Sequence, residues 1–334
     1  MACSLLLVSA SRTEVVIQDS FAFFFLACPN DADGGPCLMT PIAGTASDLR
    51  ALLSQESCHV MPCCFDALSA RIVEQAGCPL TFMSGFSVAA ARAGLPDTGL
   101  LTVTEMLDQG RNLCNAVSIP VIGDGDTGHG NAANVQRTMH QFKQAGFAGI
   151  MLEDQISPKR CGHTGVKEVV DRDNAVERIS AAVEARRQGA DLVIVARTDA
   201  RSAFAERYGE RRALDEALWR LKAFADLGAD VLFLEAPRSE QEMQRFCNEV
   251  PGKRMANMLE GGVTPLLSPE QLGAMGFNLV AYPLTLLASA AFAMRQAVKD
   301  LQNGKTPETM LSFPELKALV NFDAYDDTVG KQAH

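Results

Sequence analysis

The sequence predicts an α/β protein built as a (β/α)8 barrel, and three observations lead there. Short apolar or β-branched runs recur eight times between residues 59 and 283. Amphipathic stretches of helical spacing separate them, and many close on a glycine placed as a C′ cap. The alternation fills roughly 240 residues, which is the size of such a barrel. An open doubly wound sheet is the structural alternative.

In order, the runs are "HVMPC" (59–63), "LTFMS" (80–84), "IPVIGD" (119–124), "GIMLED" (149–154), "LVIVAR" (192–197), "VLFLEA" (231–236), "RMANM" (254–258) and "LVAYP" (279–283). Most are continuous rather than alternating, as expected of strands buried on both faces. Between them lie "DALSARIVEQAG", "NVQRTMHQFKQAG", "NAVERISAAVEARRQG" and "RRALDEALWRLKAFADLG". The end glycines are Gly77, Gly146, Gly189, Gly228 and Gly276.

Residues 46–305 form the expected barrel domain and 306–334 a helical tail. Residues 1–45 read as a disordered or targeting extension. Its apolar stretch "VVIQDSFAFFFLACP" is interrupted by Gln18, Asp19 and Ser20 and falls short of the ~20 residues a spanning helix needs. Glu14 and Asp19 fit a transit peptide poorly. The compartment stays open between the cytoplasm and a mitochondrial or plastid matrix.

A formal charge of −10, with no Lys/Arg run, argues against a nucleic-acid surface. The ten cysteines show no CxxC pair and no zinc-type spacing. Most therefore read as small buried hydrophobes of a reducing compartment.

Polar residues stand where the runs stop: Ser84, Asp124 with Asp126, Glu153 with Asp154, Arg197 with Asp199, Glu235, and Asn257. A barrel gathers such ends on one face around its axis, where barrel active sites are built. Turn chemistry accounts for one charged end, not for six of eight.

"DGDTGHGN" (124–131) follows the third run. Aspartates two apart among glycines suggest a hard cation held by oxygen. A calcium EF-hand loop fails, because its twelfth position is Val135 and a strand precedes it. An acidic turn without a ligand is the bland alternative. With Glu153 beside it, an octahedral Mg²⁺ site, or Mn²⁺, is the better reading. Such an ion polarises a carbonyl. Arg197 can fork onto a substrate carboxylate, and the successive amides of Ser84-Gly85-Phe86 can act as an oxyanion hole. "EGGVTP" (260–265), with Thr264 and Pro265, can take a phosphate. Together these describe a pocket for a small α-oxo or α-hydroxy carboxylate.

"QISPKRCGHTG" (155–165) follows the fourth run without an apolar period. Cys161 there is flanked by Lys159, Arg160 and His163, which favour a thiolate or relay a proton. On a loop closing over the pocket, it can attack a carbonyl or protonate a carbanion. An incidental loop cysteine and a turn histidine are the bland readings.

Over residues 46–325 the sequence resembles the isocitrate lyase/phosphoenolpyruvate mutase superfamily. The resemblance rests on "SGFSVAAARAGLPDTGLLT", "DGDTGHGN", "EDQISPKRCGH", "VARTDA", "EAP" and "NMLEGGVTPLLSPEQL". It is similar above all to the branch with 2-methylisocitrate lyase, 2,3-dimethylmalate lyase, oxaloacetate acetylhydrolase and petal-death-type lyases. The resemblance implies that Asp124 ligates Mg²⁺, with Asp97, Asp126 and Glu153 acting through waters. It implies that Ser84, Gly85, Arg197 and Asn257 hold an α-oxo acid. Phe86, Arg160, Gly162, Thr264 and Pro265 complete the expected substrate-binding set. Cys161 would protonate the departing carbanion, assisted by Lys159, His163 and Glu235.

The implied fold is a TIM barrel whose C-terminal helix is domain-swapped in a homodimer or homotetramer. "LSFPELKALVNF" (311–322) suits that helix, with Ser312 and Glu315 as a capping-box pair and Pro314 in the first turn. Phosphoenolpyruvate mutases lack the loop cysteine, so Cys161 favours a carbon–carbon lyase. Phe82 stands where methylisocitrate lyases tend to have Tyr, and Thr198 where oxaloacetate acetylhydrolases tend to have Ser. Nothing in the sequence explains His129. The expected activity is Mg²⁺-dependent cleavage of a small 2-hydroxy di- or tricarboxylate, without nucleic-acid or membrane partners. A carboxyphosphonoenolpyruvate-type phosphonomutase, an oxaloacetate acetylhydrolase and a non-catalytic acid-binding barrel are the alternatives.

Overall fold

The computed structural model describes residues 43–159 and 167–332. Eight parallel strands close into a barrel in chain order. They are β1 (His59–Cys64), β2 (Thr81–Met83), β3 (Val121–Asp124), β4 (Gly149–Glu153), β5 (Val193–Thr198), β6 (Val231–Leu234), β7 (Lys253–Asn257) and β8 (Leu279–Tyr282). Each expected run forms a strand, with ends shifted by a residue or two. β8 pairs with β1 from His59↔Leu279 to Pro62↔Tyr282, which closes the cylinder.

Side chains alternate between the two faces of every strand, so each run feeds two cores. Met61, Phe82, Ile122, Met151, Val195, Phe233, Met255 and Leu279 pack inside the barrel. Their immediate neighbours, such as Met83, Ile150, Ile194 and Leu232, pack outward beneath the helices. The same parity decides which residues face the barrel mouth. Two residues beyond Phe82, Ile122, Met151, Val195, Phe233 and Met255 come Ser84, Asp124, Glu153, Arg197, Glu235 and Asn257. Each continues the inward face one step past the apolar filling, at the C-terminal mouth.

The opposite end is closed by the helix Ala46–Leu53, whose Ala46, Leu49 and Leu53 join the interior cluster. A reciprocal capping box between Thr45 and Asp48 starts that helix. Burying one such leucine contributes about 1.5–3 kcal/mol, so the plug is held by apolar contact.

All five expected end glycines have positive φ, from 80° at Gly77 to 109° at Gly276. The helix after the acidic loop starts at Ala132, capped by Asn131, slightly earlier than the pattern near Asn134 suggests. Helix Phe313–Leu319 carries the expected Ser312–Glu315 capping box. The helix Thr285–Gln302 buries none of its residues and leaves Phe292 74% exposed.

Candidate active site

The mouth of the barrel holds a cavity of about 70 Å³. Its floor is apolar, built from Cys63, Phe82, Met151, Phe233 and Met255, and its rim is polar. Space of this size suits a short carboxylate and a few waters, not a nucleotide.

The rim is assembled strand by strand. Ser84 follows β2 and caps a short helix, accepting from the Ser87 N–H at 3.3 Å. The Gly85 N–H donates to Asp124 Oδ2 at 3.2 Å, and the Asp126 N–H donates to Asp124 Oδ1 at 3.1 Å. Asp124 is thus fixed at both oxygens. A Cβ on Gly85 would overlap its carboxylate, so glycine is required by close approach.

The ammonium of Lys159 enters this cluster. It stands 3.0 Å from Asp97 and 3.6 Å from Asp124, and it pairs with Asp126. Burial alone would push the ammonium pKa down; Asp124, Asp126 and Asp97 reverse that and hold it well above the ordinary value. Burial pushes Asp126 up to about 7, with Lys159 opposing and Asp124 and Asp97 adding to the rise.

On the next strands Arg197 Nε lies 3.2 Å from Glu153 Oε2, and Arg197 Nη2 lies 3.7 Å from Glu235. Asp199 grips the same guanidinium twice, at 2.8 Å from Nε and 3.0 Å from Nη2. Burial raises the Glu153 pKa well above its ordinary value despite Arg197. Burial would also raise Asp199, yet Arg197 and then Lys167 bring it well below the carboxylate range. Behind the rim, Asp154 accepts from the Thr198 hydroxyl at 2.6 Å, the Asp199 N–H at 2.9 Å and buried Arg220 at 3.0 Å. Those bonds tie the ends of β4 and β5 together.

Among the described residues, six carboxylates (Asp97, Asp124, Asp126, Glu153, Asp199 and Glu235) meet three cations (Lys159, Lys167 and Arg197). Buried negative charge in such excess either takes up protons or takes up a cation. The donors are hard oxygens, as Mg²⁺ requires. No three His, Cys, Asp or Glu side chains among the described residues enclose an ion by themselves. The Asp124 and Glu153 oxygens at the cavity fit Mg²⁺ held by one or two carboxylates with water completing its shell.

The sequence profile of the phosphoenolpyruvate phosphomutase family matches residues 49–302. The chain is 40% identical to 2,3-dimethylmalate lyase of Eubacterium barkeri, over 84% of this chain and 95% of that one. The chain belongs to the PEP mutase/isocitrate lyase superfamily. Another member, the chloroplastic carboxyvinyl-carboxyphosphonate phosphorylmutase of Arabidopsis thaliana, is 40% identical over 86% of this chain and 85% of its own. Among solved structures, oxaloacetate acetylhydrolase with 3,3-difluorooxalacetate superposes with a TM-score of 0.79 at 34% identity. It covers 88% of this chain and 98% of that chain. A phosphonopyruvate hydrolase solved with oxalate and Mg²⁺ superposes with a TM-score of 0.75 at 27% identity, over 87% of this chain and all of its own.

Within this superfamily the chain is an enzyme of the carbon–carbon lyase type. No helix among the described residues is long and apolar enough to cross a membrane. The structure brings Ser84, Phe86, Asp97, Asp124, Glu153, Lys159, Arg197, Glu235 and Asn257 to one cavity. Gly85 and Asp126 touch it through Asp124 and Lys159. Thr264 and Pro265 do not line it; Leu259 does, from the same connection. Arg160, Cys161, Gly162 and His163 lie outside the described residues. Lys159 and Lys167, on either side of them, are both buried and ion-paired at the site.

Sequence reasoning missed Lys167, 3.0 Å from Asp199 and 3% exposed. A lone lysine within "GVKEVV" was its only signal. It also missed the apolar floor, which strand parity would have identified from Met151 and Phe233. Thr198 faces Asp154 rather than the cavity, so its difference from serine bears on bracing, not on substrate contact.

Proposed function

We propose that this lyase cleaves a small 2-hydroxy di- or tricarboxylate of the 2-alkylmalate or 2-methylisocitrate kind into an α-oxo acid and a second carboxylate. The observation that carries the reading is the joining of Arg197 and a carboxylate cluster at the mouth of one small cavity with an apolar floor. Arg197 holds the carboxylate of the retained fragment, while the Ser84 hydroxyl and Asn257 amide donate to its remaining oxygens. Asp124 would hold Mg²⁺ directly, with Asp97, Asp126 and Glu153 reaching it through water; Mn²⁺ is an alternative. When bound, the ion supplies Lewis acidity at the oxygen that becomes the α-oxo group. As the carbon–carbon bond breaks, the 2-hydroxyl proton passes to the buried acid cluster. The bonding pair leaves on the second fragment, whose own carboxylate delocalises it until Cys161 supplies a proton. Lys159, His163 and Glu235 assist that transfer.

The described cysteines Cys58, Cys63, Cys64, Cys78, Cys114 and Cys247 are free, which supports a reducing compartment. We further propose a homodimer or homotetramer formed through the C-terminal helices. Phe292, Val298, Leu301 and Phe313, 54–74% exposed, need an apolar partner surface.

A panel of 2-alkylmalates, 2-methylisocitrate, oxaloacetate and phosphonates, assayed with Mg²⁺ and again with EDTA, tests the reaction. α-Oxo acid release from the 2-hydroxy acids, abolished by EDTA, is expected. Turnover of phosphonates alone would favour the mutase reading, which the similarity to the phosphorylmutase keeps as the competitor. Cys161→Ser should lower turnover strongly while leaving oxalate binding intact; unchanged turnover would remove the thiol from the reaction.

A further inference from the structure

The guanidinium of Arg197 is surrounded by acids. Glu153 approaches from β4, Asp199 from the end of β5 and Glu235 from the end of β6, at 3.2, 2.8 and 3.7 Å. Phe233 adds an aromatic face with its centroid 5.4 Å from the guanidinium carbon. Asp199 is the acid nearest the guanidinium, and its charge draws on the attraction that Arg197 would offer a substrate carboxylate. Asp199 is needed for geometry, because its two oxygens fork onto Arg197 and set the plane of the guanidinium. Its charge works against anion binding. Lys167 answers that conflict: its ammonium sits 3.0 Å from Asp199 Oδ1, the oxygen that also accepts from Arg197 Nη2.

We infer that Lys167 is a positioning residue of the anion site, cancelling the charge of Asp199 so that Asp199 can orient Arg197 without consuming its attraction for a substrate carboxylate. This rests on the proposed reading of Arg197 as the carboxylate holder. The arrangement is a relay of three groups. Lys167 is 3% exposed and Asp199 fully buried, so little solvent screens the pair. Lys167 does not line the cavity, and Asp199 links it to Arg197.

The experiment is calorimetric titration of the whole chain with oxalate in the presence of Mg²⁺, comparing wild type, Lys167→Met, Lys167→Arg, Asp199→Asn and the double variant Lys167→Met/Asp199→Asn. Lys167→Met should raise the oxalate Kd by about 10-fold or more, and Lys167→Arg should recover most of the loss. Lys167→Met should cost little further in the Asp199→Asn background, because removing the acid removes the need for its counter-charge. For the substrate turned over, KM should follow Kd while kcat stays within about threefold. A lysine that merely supports the fold would lower thermal stability without this KM-specific loss, and its removal would cost the same in both backgrounds. Lys167→Gln, which keeps a donor but not the charge, carries the same comparison if Lys167→Met does not fold. Wild-type Kd in the neutral variants, or an equal Kd penalty for Lys167→Met in the wild-type and Asp199→Asn backgrounds, overturns the inference. Absence of oxalate binding by the wild type would instead remove the anion site itself, and the role of Lys167 with it.

Discussion

Glu153 and Arg197 stand opposite each other in register on β4 and β5, with Arg197 Nε 3.2 Å from Glu153 Oε2, although they are 44 residues apart in sequence. The pair joins the carboxylate cluster to the anion site. Replacing Arg197 with Lys keeps a charge but loses the fork, and KM should rise by about 10²-fold. Steady-state kinetics on the accepted substrate check this. An unchanged KM would place the substrate carboxylate elsewhere.

The acid cluster should make stability depend on pH and on Mg²⁺ together. Asp126 is raised to about 7 by burial, and Glu153 is raised by burial too. A carboxyl raised in the folded state favours folding while protonated, and that advantage is lost as pH rises through its folded value. The lowered Asp199 contributes equally across this window, because its pKa lies below it. The metal-free enzyme should therefore lose melting temperature between pH 5 and pH 8. Mg²⁺ should stabilise it more at pH 8 than at pH 6, as it displaces fewer protons there. Thermal melts at both pH values with and without Mg²⁺ decide the matter; equal metal shifts would contradict the account.

Gly85→Ala places a methyl group against the Asp124 carboxylate, with Asp124 Cγ at 3.1 Å and Lys159 Nζ at 3.4 Å from the added carbon. Gly85 opens a short helix, where alanine is otherwise well tolerated. The variant should fold, yet its turnover should fall by about 10²-fold from the displaced acid. Circular dichroism and kinetics together test this. Full activity would show that the contact is dispensable.

The bare helix Thr285–Gln302 predicts assembly. Phe292→Asp, at a side chain 74% exposed, should shift the sedimenting mass from oligomer to monomer while the barrel stays folded. Wild type sedimenting as a monomer at micromolar concentration would remove the proposed assembly.

Much of this site is legible in the sequence because a strand buried on both faces spells its own boundaries. Glu153 and Arg197 stand out where an apolar run stops, and parity decides that both face the axis. The acidic loop announces itself through Asp124 and Asp126 at fixed spacing. Asp97 has no such signal: it sits in a connection, follows Pro96, and is reached only through family likeness. Lys167 is hidden because its partner, Asp199, lies 32 residues on, and only the closed barrel brings them together. The short helices Gly85–Val88 and Ala200–Ala203 go unread because four residues are too few to show a helical period. Thr264 looks available in a glycine-rich turn, yet its connection gives the cavity Leu259 instead.

The claim that all else depends on is that the strand-end acids hold a divalent ion which, with Arg197, receives a small α-oxo or dicarboxylate anion. Titration of oxalate into wild type and Asp124→Asn, each with Mg²⁺ and with EDTA, tests it most directly. Tight binding only in the wild type with Mg²⁺ is the predicted result. Oxalate binding that survives both EDTA and the loss of the Asp124 carboxylate would contradict it.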